Sequence, residues 1–252
     1  MKILYCLFGI LIPFFGTCIG SCITLFLKKN ISKIFYNCLL GFAVGVMLAA
    51  SIWSLIIPSI NMVESTYKVI WFPAVIGLIA GVLFLIFISD YCDKLFRKNM
   101  GNINLLFLSI TLHNIPEGMA VGVCFAGVLS GNPGMSLFGA MILSIGIAIQ
   151  NIPEGAIVSM PISSNKNSKI QSFFLGVLSG VAELIAAFLT IILVNIVIPV
   201  LSYLLSFSAG AMIYVVVEEL ILEMHIDGKS SFGMISLVIG FSIMMVLDVV
   251  LG

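Results

Sequence analysis

Eight long apolar stretches divide this chain, and each is long enough to cross a lipid bilayer as a helix. A spanning helix needs about 20 mostly apolar residues, whereas a β-barrel strand would be shorter and would alternate polar with apolar positions. The predicted spans are 3–27, 34–58, 69–90, 104–129, 135–161, 171–194, 196–222 and 231–251. Only 9% of the residues are charged, against about 25% in soluble domains. We therefore expect one all-α transmembrane domain over residues 1–252, and not a soluble or nucleic-acid-binding protein.

The lysine and arginine residues between the spans indicate how the spans are oriented. When the polar breaks are assigned alternately to the two sides, nine of the 11 basic residues fall on one side. Only Lys2 and Lys68 fall on the other. Because loops rich in lysine and arginine stay in the cytoplasm, both termini are predicted to be extracytoplasmic. The same distribution favours an even number of spans in a multi-pass protein of the cell membrane.

The first span also has features of a signal peptide, because Lys2 precedes an apolar run. That run continues to Leu27, however, and two lysines follow it directly. We therefore expect the first span to be retained as a helix.

Carboxylates are concentrated inside the predicted spans, where basic residues are absent. At least six of the 11 acidic residues fall within spans: Glu117, Glu154, Glu183, Glu218, Glu219 and Asp248. A charged side chain at the centre of a bilayer costs about 3 kcal/mol or more, so these groups need cations or protons from outside the chain. Asp248 is close to the end of its span and is expected to be hydrated. The pattern as a whole indicates a protein that handles cations.

A motif repeated in the fourth and fifth spans supplies further ligand-type side chains. HNIPEG at 113–118 is followed by QNIPEG at 150–155, an offset of 37 residues. Consecutive spans run in opposite directions, so the repeat implies a local two-fold axis in the membrane plane. Residues three or four positions apart share one helix face. The predicted ligands are His113, Asn114 and Glu117 on one helix and Gln150, Asn151 and Glu154 on the next.

Two further features extend this predicted site. Pro116 and Pro153 each leave a main-chain carbonyl without its helical donor, and at membrane depth such a carbonyl must face protein, water or an ion. Glu183 lies mid-span among small residues and supplies a third carboxylate. Imidazole with carboxylates suits zinc and its divalent neighbours, whereas oxygen alone favours magnesium or calcium. Glu219 and Glu223, near the predicted cytoplasmic end of the seventh span, are candidates for a further metal site on an exit path.

At these motifs the chain resembles the ZIP (Zrt-/Irt-like) family of divalent-metal transporters, and within it the bacterial GufA-like branch. The runs at 41–55 and 210–220 also resemble that branch. The resemblance implies eight helices in a 3+2+3 arrangement, with inverted outer triplets and extracytoplasmic termini. It also implies a bacterial inner-membrane location and allows a homodimer. The His-rich loop of many members is missing between 163 and 170.

The same resemblance implies a binuclear metal site on the central helices. One metal ion would be held by His113, Glu117, Gln150 and Glu154. The other would be held by Asn114, Asn151, Glu154 and Glu183, so that Glu154 bridges the two. Some members have an aspartate where this chain has Asn151. The amide removes one negative charge and leaves the occupancy of the second position open.

The primary hypothesis is therefore a transporter, not an enzyme, with no catalytic cofactor. It would move Zn²⁺, and related ions such as Cd²⁺, Fe²⁺ or Mn²⁺, into the cytoplasm by alternating access. An intramembrane zinc hydrolase is an alternative, but it would normally need a histidine pair such as H-E-x-x-H, and the two histidines lie far apart at 113 and 225. A proton-coupled carrier of another solute is a second alternative, although no aromatic or cationic pocket is evident. The ranking of metals, proton coupling, and elevator or rocking motion stay open.

Overall fold

The computed structural model of the protein describes residues 2–26, 32–62, 69–96, 102–132, 135–164, 169–224 and 231–251. The side chains at 2, 92–96, 102–110, 112–113, 157, 160–164, 219 and 251 are not among those described. Within the described residues the secondary structure is helical, without strands. The helical rods are α1 (Lys2–Phe26), α2 (Lys33–Asn61), α3 (Phe72–Phe96), α4 (Asn102–Ser130), α5 (Leu137–Ser164), α6 (Lys169–Ile192), α7 (Val194–Met224) and α8 (Ser231–Leu251).

The rods have the length and surface of membrane-spanning helices. Across the described parts of the chain, seven helices are long and apolar enough to cross a membrane, and α4 adds the apolar stretch Asn114–Ser130. Large apolar side chains point outward, and both Phe87 and Ile192 are 70% exposed. Such a surface is unfavourable in water but matches lipid tails. The predicted all-α integral membrane fold is confirmed.

The helix ends differ from the predicted spans mainly at the polar breaks. The third helix begins at Phe72 and continues to Phe96, six residues beyond the predicted end. A hydropathy edge marks the end of the apolar run, whereas a helix also continues through polar residues, so the prediction was too short here. The sixth and seventh rods are separated only by a turn at Leu193. Pro199 lies within a 3₁₀ turn, Ile198–Val200, inside the seventh rod. Proline is tolerated at the start of a turn because the N–H that it lacks would have no partner there.

The contacts between helices repeat when the two halves of the chain are exchanged. α1 packs on α5 as α6 packs on α4, and α2 packs on α8 as α7 packs on α3. α1 also packs against α6, and α4 against α5. Two outer triplets related by inversion around a central pair would produce this pattern.

α2 and α7 share a further irregularity at equivalent positions. Each contains a π-helical turn, Ser51–Ile56 in α2 and Val216–Leu220 in α7. Each turn begins six residues after a glycine on which another helix packs closely. Gly45 lies against the backbone of α8, and Gly210 lies against the backbone of α3. π-turns inside α-helices often occur at functional sites, and here they mark the same place in both halves.

The apolar core lies where α2, α4, α5 and α7 meet. Met47, Phe125, Ile147 and Met212 are almost completely buried there. A cluster of buried polar side chains lies beside this core, between α4, α5 and α6. The rest of the fold therefore encloses a polar interior, which contains most of the predicted cation ligands.

Candidate metal centre

Six of the predicted ligands lie buried on three neighbouring helices. They are Asn114 and Glu117 on α4, Gln150, Asn151 and Glu154 on α5, and Glu183 on α6. None of these side chains is more than 5% exposed. Glu154 lies within electrostatic range of both other carboxylates. Three acidic groups therefore share one region of the protein interior.

The two central helices continue through their prolines. Pro116 lies inside α4, and Pro153 lies within α5. Neither proline has an N–H, so the carbonyls of Leu112 and Ile149 lose their usual helical donors. These freed carbonyls lie in the same turns as the clustered side chains, and they add oxygen to an already oxygen-rich region.

The amide nitrogens of the cluster are used within the protein. Gln150 Nε2 donates to Glu117 Oε1 at 2.5 Å. Asn151 Nδ2 donates to Glu183 Oε2 at 2.8 Å and to the carbonyl of Pro13, in α1, at 3.2 Å. These bonds join α4 to α5, α5 to α6 and α5 to α1, so they hold four helices in register around the cluster.

One oxygen of each of five of these side chains lacks a donor among the described residues. No described residue donates a hydrogen bond to the following buried atoms: Asn114 Oδ1, Glu117 Oε2, Gln150 Oε1, Asn151 Oδ1 and Glu183 Oε1. A buried polar atom without a partner costs about 1–3 kcal/mol. Five such acceptors in one cluster need a positively charged ligand or water. Amide and carboxylate oxygens are ligands for divalent cations, so the donor set fits a metal ion.

The carboxylates alone do not complete such a site. Among the described residues, no three His, Cys, Asp or Glu side chains converge closely enough to hold an ion by themselves. A metal ion in this cluster would therefore also need amide oxygens, such as those of Asn114, Gln150 and Asn151. His113 lies in α4 one turn before Glu117, but its side chain is outside the described residues.

Close helix packing fixes the position of the cluster. A Cβ on Gly118 would lie 2.1 Å from the carbonyl oxygen of Glu183, and one on Gly155 would lie 2.4 Å from that of Thr17. Only glycine permits such an approach of two backbones. The last residue of each NIPEG motif therefore brings an outer helix, α6 or α1, against a central one.

The sequence comparisons identify the family to which this arrangement belongs. A family model described as "ZIP Zinc transporter" matches residues 93–248, which is more than half of the chain and includes both NIPEG motifs. The chain belongs to the ZIP family. The resemblance seen in the motifs is thereby confirmed, and so is a multi-pass membrane protein.

Several ZIP proteins are similar to this chain over most of its length. Zinc transporter ZIP11 of Xenopus tropicalis is 31% identical, and the match covers 99% of this chain and 98% of that protein. Zinc transporter ZIPB of Bordetella bronchiseptica is 32% identical, with coverage of 98% and 82%. Zinc transporter GufA of Myxococcus xanthus is 38% identical over a shorter region, 60% of this chain and 57% of GufA. The GufA-like relationship inferred from the motifs is supported by these matches.

The predicted exit site on α7 differs in character from the central cluster. Glu223 is half-buried and accepts a hydrogen bond from the Tyr36 hydroxyl of α2 at 3.2 Å. Glu218 is exposed, and the side chain of Glu219 and all of His225 lie outside the described residues. The structure thus places Glu223 at a contact between α2 and α7 and leaves Glu219 as a prediction.

Two features of this ZIP-family chain were missed or misjudged from the sequence. The carbonyls of Pro13 and Ser179 accept hydrogen bonds from Asn151 and Asn114, and no sequence signal could have shown this because every residue has a carbonyl. Asp248 was expected to be hydrated near a span end. Instead, its Oδ1 accepts a hydrogen bond from Ser54 at 2.6 Å, and its Oδ2 is buried with no partner among the described residues.

Proposed function

We propose that this chain carries zinc and related divalent cations across the membrane into the cytoplasm. The observation that supports this most strongly is the cluster of buried oxygen acceptors on α4, α5 and α6. No described residue donates a hydrogen bond to these oxygens. A divalent cation supplies the positive charge that they need. The names of the related ZIP proteins agree with zinc as cargo.

The proposed site holds two metal ions. His113, Glu117, Gln150 and Glu154 bind the first. Asn114, Asn151, Glu154 and Glu183 bind the second, with Glu154 shared. The bonds that Gln150 and Asn151 donate to carboxylates stabilise the cluster when metal is absent. In the metal-free protein these amide N–H groups partly stabilise the negative charge of the carboxylates. A bound cation competes with the amides for the same carboxylates, so both binding and release of the ion are feasible within one cluster.

Transport through this site requires that access alternates between the two sides. We propose eight spans with both termini outside the cytoplasm, as the lysine distribution predicts, in a bacterial inner membrane. Ligands on α4, α5 and α6 replace the hydration shell of the ion, and the helices that hold the site then move against the others. Glu219 and Glu223 receive the ion at the cytoplasmic end. The cargo is transported unchanged, so the protein acts as a carrier and not as an enzyme.

Zinc uptake into proteoliposomes tests this function. Purified protein should accumulate Zn²⁺, and Glu117→Ala and Glu154→Ala should each reduce the initial rate by about tenfold or more, because loss of a ligand weakens the site. Asp90→Ala removes an exposed carboxylate of α3 and should leave the rate unchanged. Competition by cadmium, iron, manganese and magnesium then ranks the ions. Undiminished zinc flux in both glutamate variants would contradict the proposed site.

A further inference from the structure

The two halves of the molecule hold the central helices by the same pair of contacts. In α4, Asn114 Nδ2 donates to the carbonyl of Ser179 at 2.8 Å. In α5, the equivalent Asn151 donates to the carbonyl of Pro13. One turn further along each helix, Gly118 lies against the carbonyl of Glu183, and Gly155 lies against the carbonyl of Thr17.

These contacts align α1 with α6 residue by residue. Pro13 and Ser179 are 166 positions apart, and Thr17 and Glu183 have the same separation. The pair of hydrogen bonds and the pair of backbone packing contacts therefore give the same alignment of α1 with α6. Thr17 of α1 therefore occupies the position that Glu183 occupies in α6.

The hydroxyl of Thr17 differs in its hydrogen bonding from those of the other buried threonines that the structure describes. Its side chain is 3% exposed, and no described residue hydrogen bonds to its Oγ1. Two other buried threonines, Thr24 and Thr190, instead donate to carbonyls of their own helices, those of Ser21 and Ala186. The carbonyl one turn before Thr17 is that of Pro13, which already accepts from Asn151.

The exchange of the two halves also relates the ligands of the second metal position. The pseudo-two-fold axis that relates the halves maps Asn114 onto Asn151. Both residues are proposed ligands of the second position, so that position must lie close to this axis. A residue near the axis has its counterpart at a similar distance on the other side. Since Glu183 reaches the second position from α6, its counterpart Thr17 should reach it from α1.

We propose that Thr17 Oγ1 is a neutral oxygen ligand of the second metal position, on the opposite side from Glu183. This inference rests on the proposed function, because it assumes that the cluster binds a divalent cation. A hydroxyl in place of a second outer carboxylate completes the oxygen shell without adding a further negative charge to the buried cluster. That balance matters because excess buried charge is costly whenever the ion is absent.

Zinc binding by purified Thr17→Val measures this role. Valine keeps the shape of threonine but lacks the hydroxyl, so the second binding step should weaken by about tenfold while the first is unchanged. Thr17→Ser should bind as the wild type does. Thr24→Val on the same helix is the matched control, because that hydroxyl bonds only to its own helix, and it should leave both binding steps unchanged.

The thermal stability of the metal-free variants separates a ligand from a structural hydroxyl. Removing a buried hydroxyl that has no partner should leave the melting temperature of apo Thr17→Val equal to or above that of the wild type. A structural hydrogen bond would make the apo variant melt lower. That result, or wild-type zinc binding by Thr17→Val, would overturn the proposal.

Moving a carboxylate from position 183 of α6 to position 17 of α1 provides a second test, in which a gain of zinc binding is measured. Glu183→Gln should abolish the second binding step, and Thr17→Asp in that background should restore part of it from the other side of the axis. Thr24→Asp in the same background should not. Failure of Thr17→Asp, in a protein that remains folded by size-exclusion chromatography, counts against Thr17 alone. Absence of zinc uptake by the wild type would instead refute the proposed function, and the role of Thr17 with it.

Discussion

The hydrogen bonding of the central cluster depends on how two amide side chains are oriented. Gln150 and Asn151 direct their nitrogens to carboxylates and leave their oxygens without donors among the described residues. The repeated motif and its helical spacing were sufficient to predict that these residues cluster. They could not predict the orientation, because it depends on partners on other helices: Glu117 of α4 for Gln150, and Glu183 of α6 and Pro13 of α1 for Asn151.

Replacing Asn151 by aspartate tests this balance. Asn151→Asp removes the donor to Glu183 Oε2 and places a second carboxylate beside it, so the apoprotein should lose about 3 kcal/mol of stability. Zinc should restore more stability than it adds to the wild type, because ligand binding stabilises the folded state according to its affinity. Melting temperatures with and without zinc measure both effects. An equal zinc-dependent shift in the two proteins would show that Asn151 is not near the metal.

The glycines of the two motifs make a separate prediction about packing. In Gly118→Ala the new methyl group would meet the carbonyl of Glu183 at 2.1 Å, so α4 and α6 must separate. Overpacking of this kind costs about 1–3 kcal/mol or more. The variant should melt lower and transport less.

Gly139→Ala is the matched control for that substitution. Among the residues that the structure describes, its methyl group would meet only the Ser136 hydroxyl, at 3.1 Å, and alanine favours the helix by about 1 kcal/mol over glycine. Its melting temperature should be unchanged or higher. Equal destabilisation of both variants would contradict the packing account.

Individual helices were predicted well in their apolar parts and poorly in their irregular turns. Runs of about 20 apolar residues identified every rod, since hydrocarbon excludes any backbone group that is not bonded internally. The π-turns at Ser51–Ile56 and Val216–Leu220 left no hydropathy signal. They change which residue faces a neighbour without changing how apolar the helix is. For the same reason the bond between Ser54 and Asp248 could not be foreseen.

The π-turn of α2 is tied to α8 by that bond. Ser54→Ala removes the donor to Asp248 Oδ1 and leaves a half-buried carboxylate without it, which should lower stability by about 2 kcal/mol. Ser51→Ala is the control, because Ser51 donates to Met47 in its own helix, and it should have a smaller effect. Thermal unfolding in detergent compares the two. A larger loss in Ser51→Ala would mean that the inter-helix bond does not stabilise the fold.

Across the whole molecule, basic and acidic residues are distributed differently along the chain. The formal net charge is zero, yet most basic residues lie in the polar breaks, and the buried charges of the central cluster are carboxylates. The sequence revealed this difference through the positions of lysine and glutamate along the chain. The exchange of halves was visible only in the NIPEG pair, because the outer triplets share packing positions such as Gly45 and Gly210 more than they share residue identities.

The lysine distribution predicts the topology of the whole protein. Alkaline phosphatase is active only outside the cytoplasm, so its fusion to the C-terminus should be active, and its fusion after Lys166 should be inactive. Green fluorescent protein at the same two points should show the reverse. A fluorescent C-terminal fusion would place that terminus in the cytoplasm and would overturn the predicted orientation.

We propose that the buried oxygens of α4, α5 and α6 bind the transported cation. Anomalous diffraction from zinc-bound crystals at the zinc absorption edge tests it most directly. We expect anomalous density among Glu117, Glu154 and Glu183, with a loss of that density in Glu154→Ala. Density confined to the predicted cytoplasmic end of α7, or density that persists at the cluster in Glu154→Ala, would show that the cluster is not the cation site.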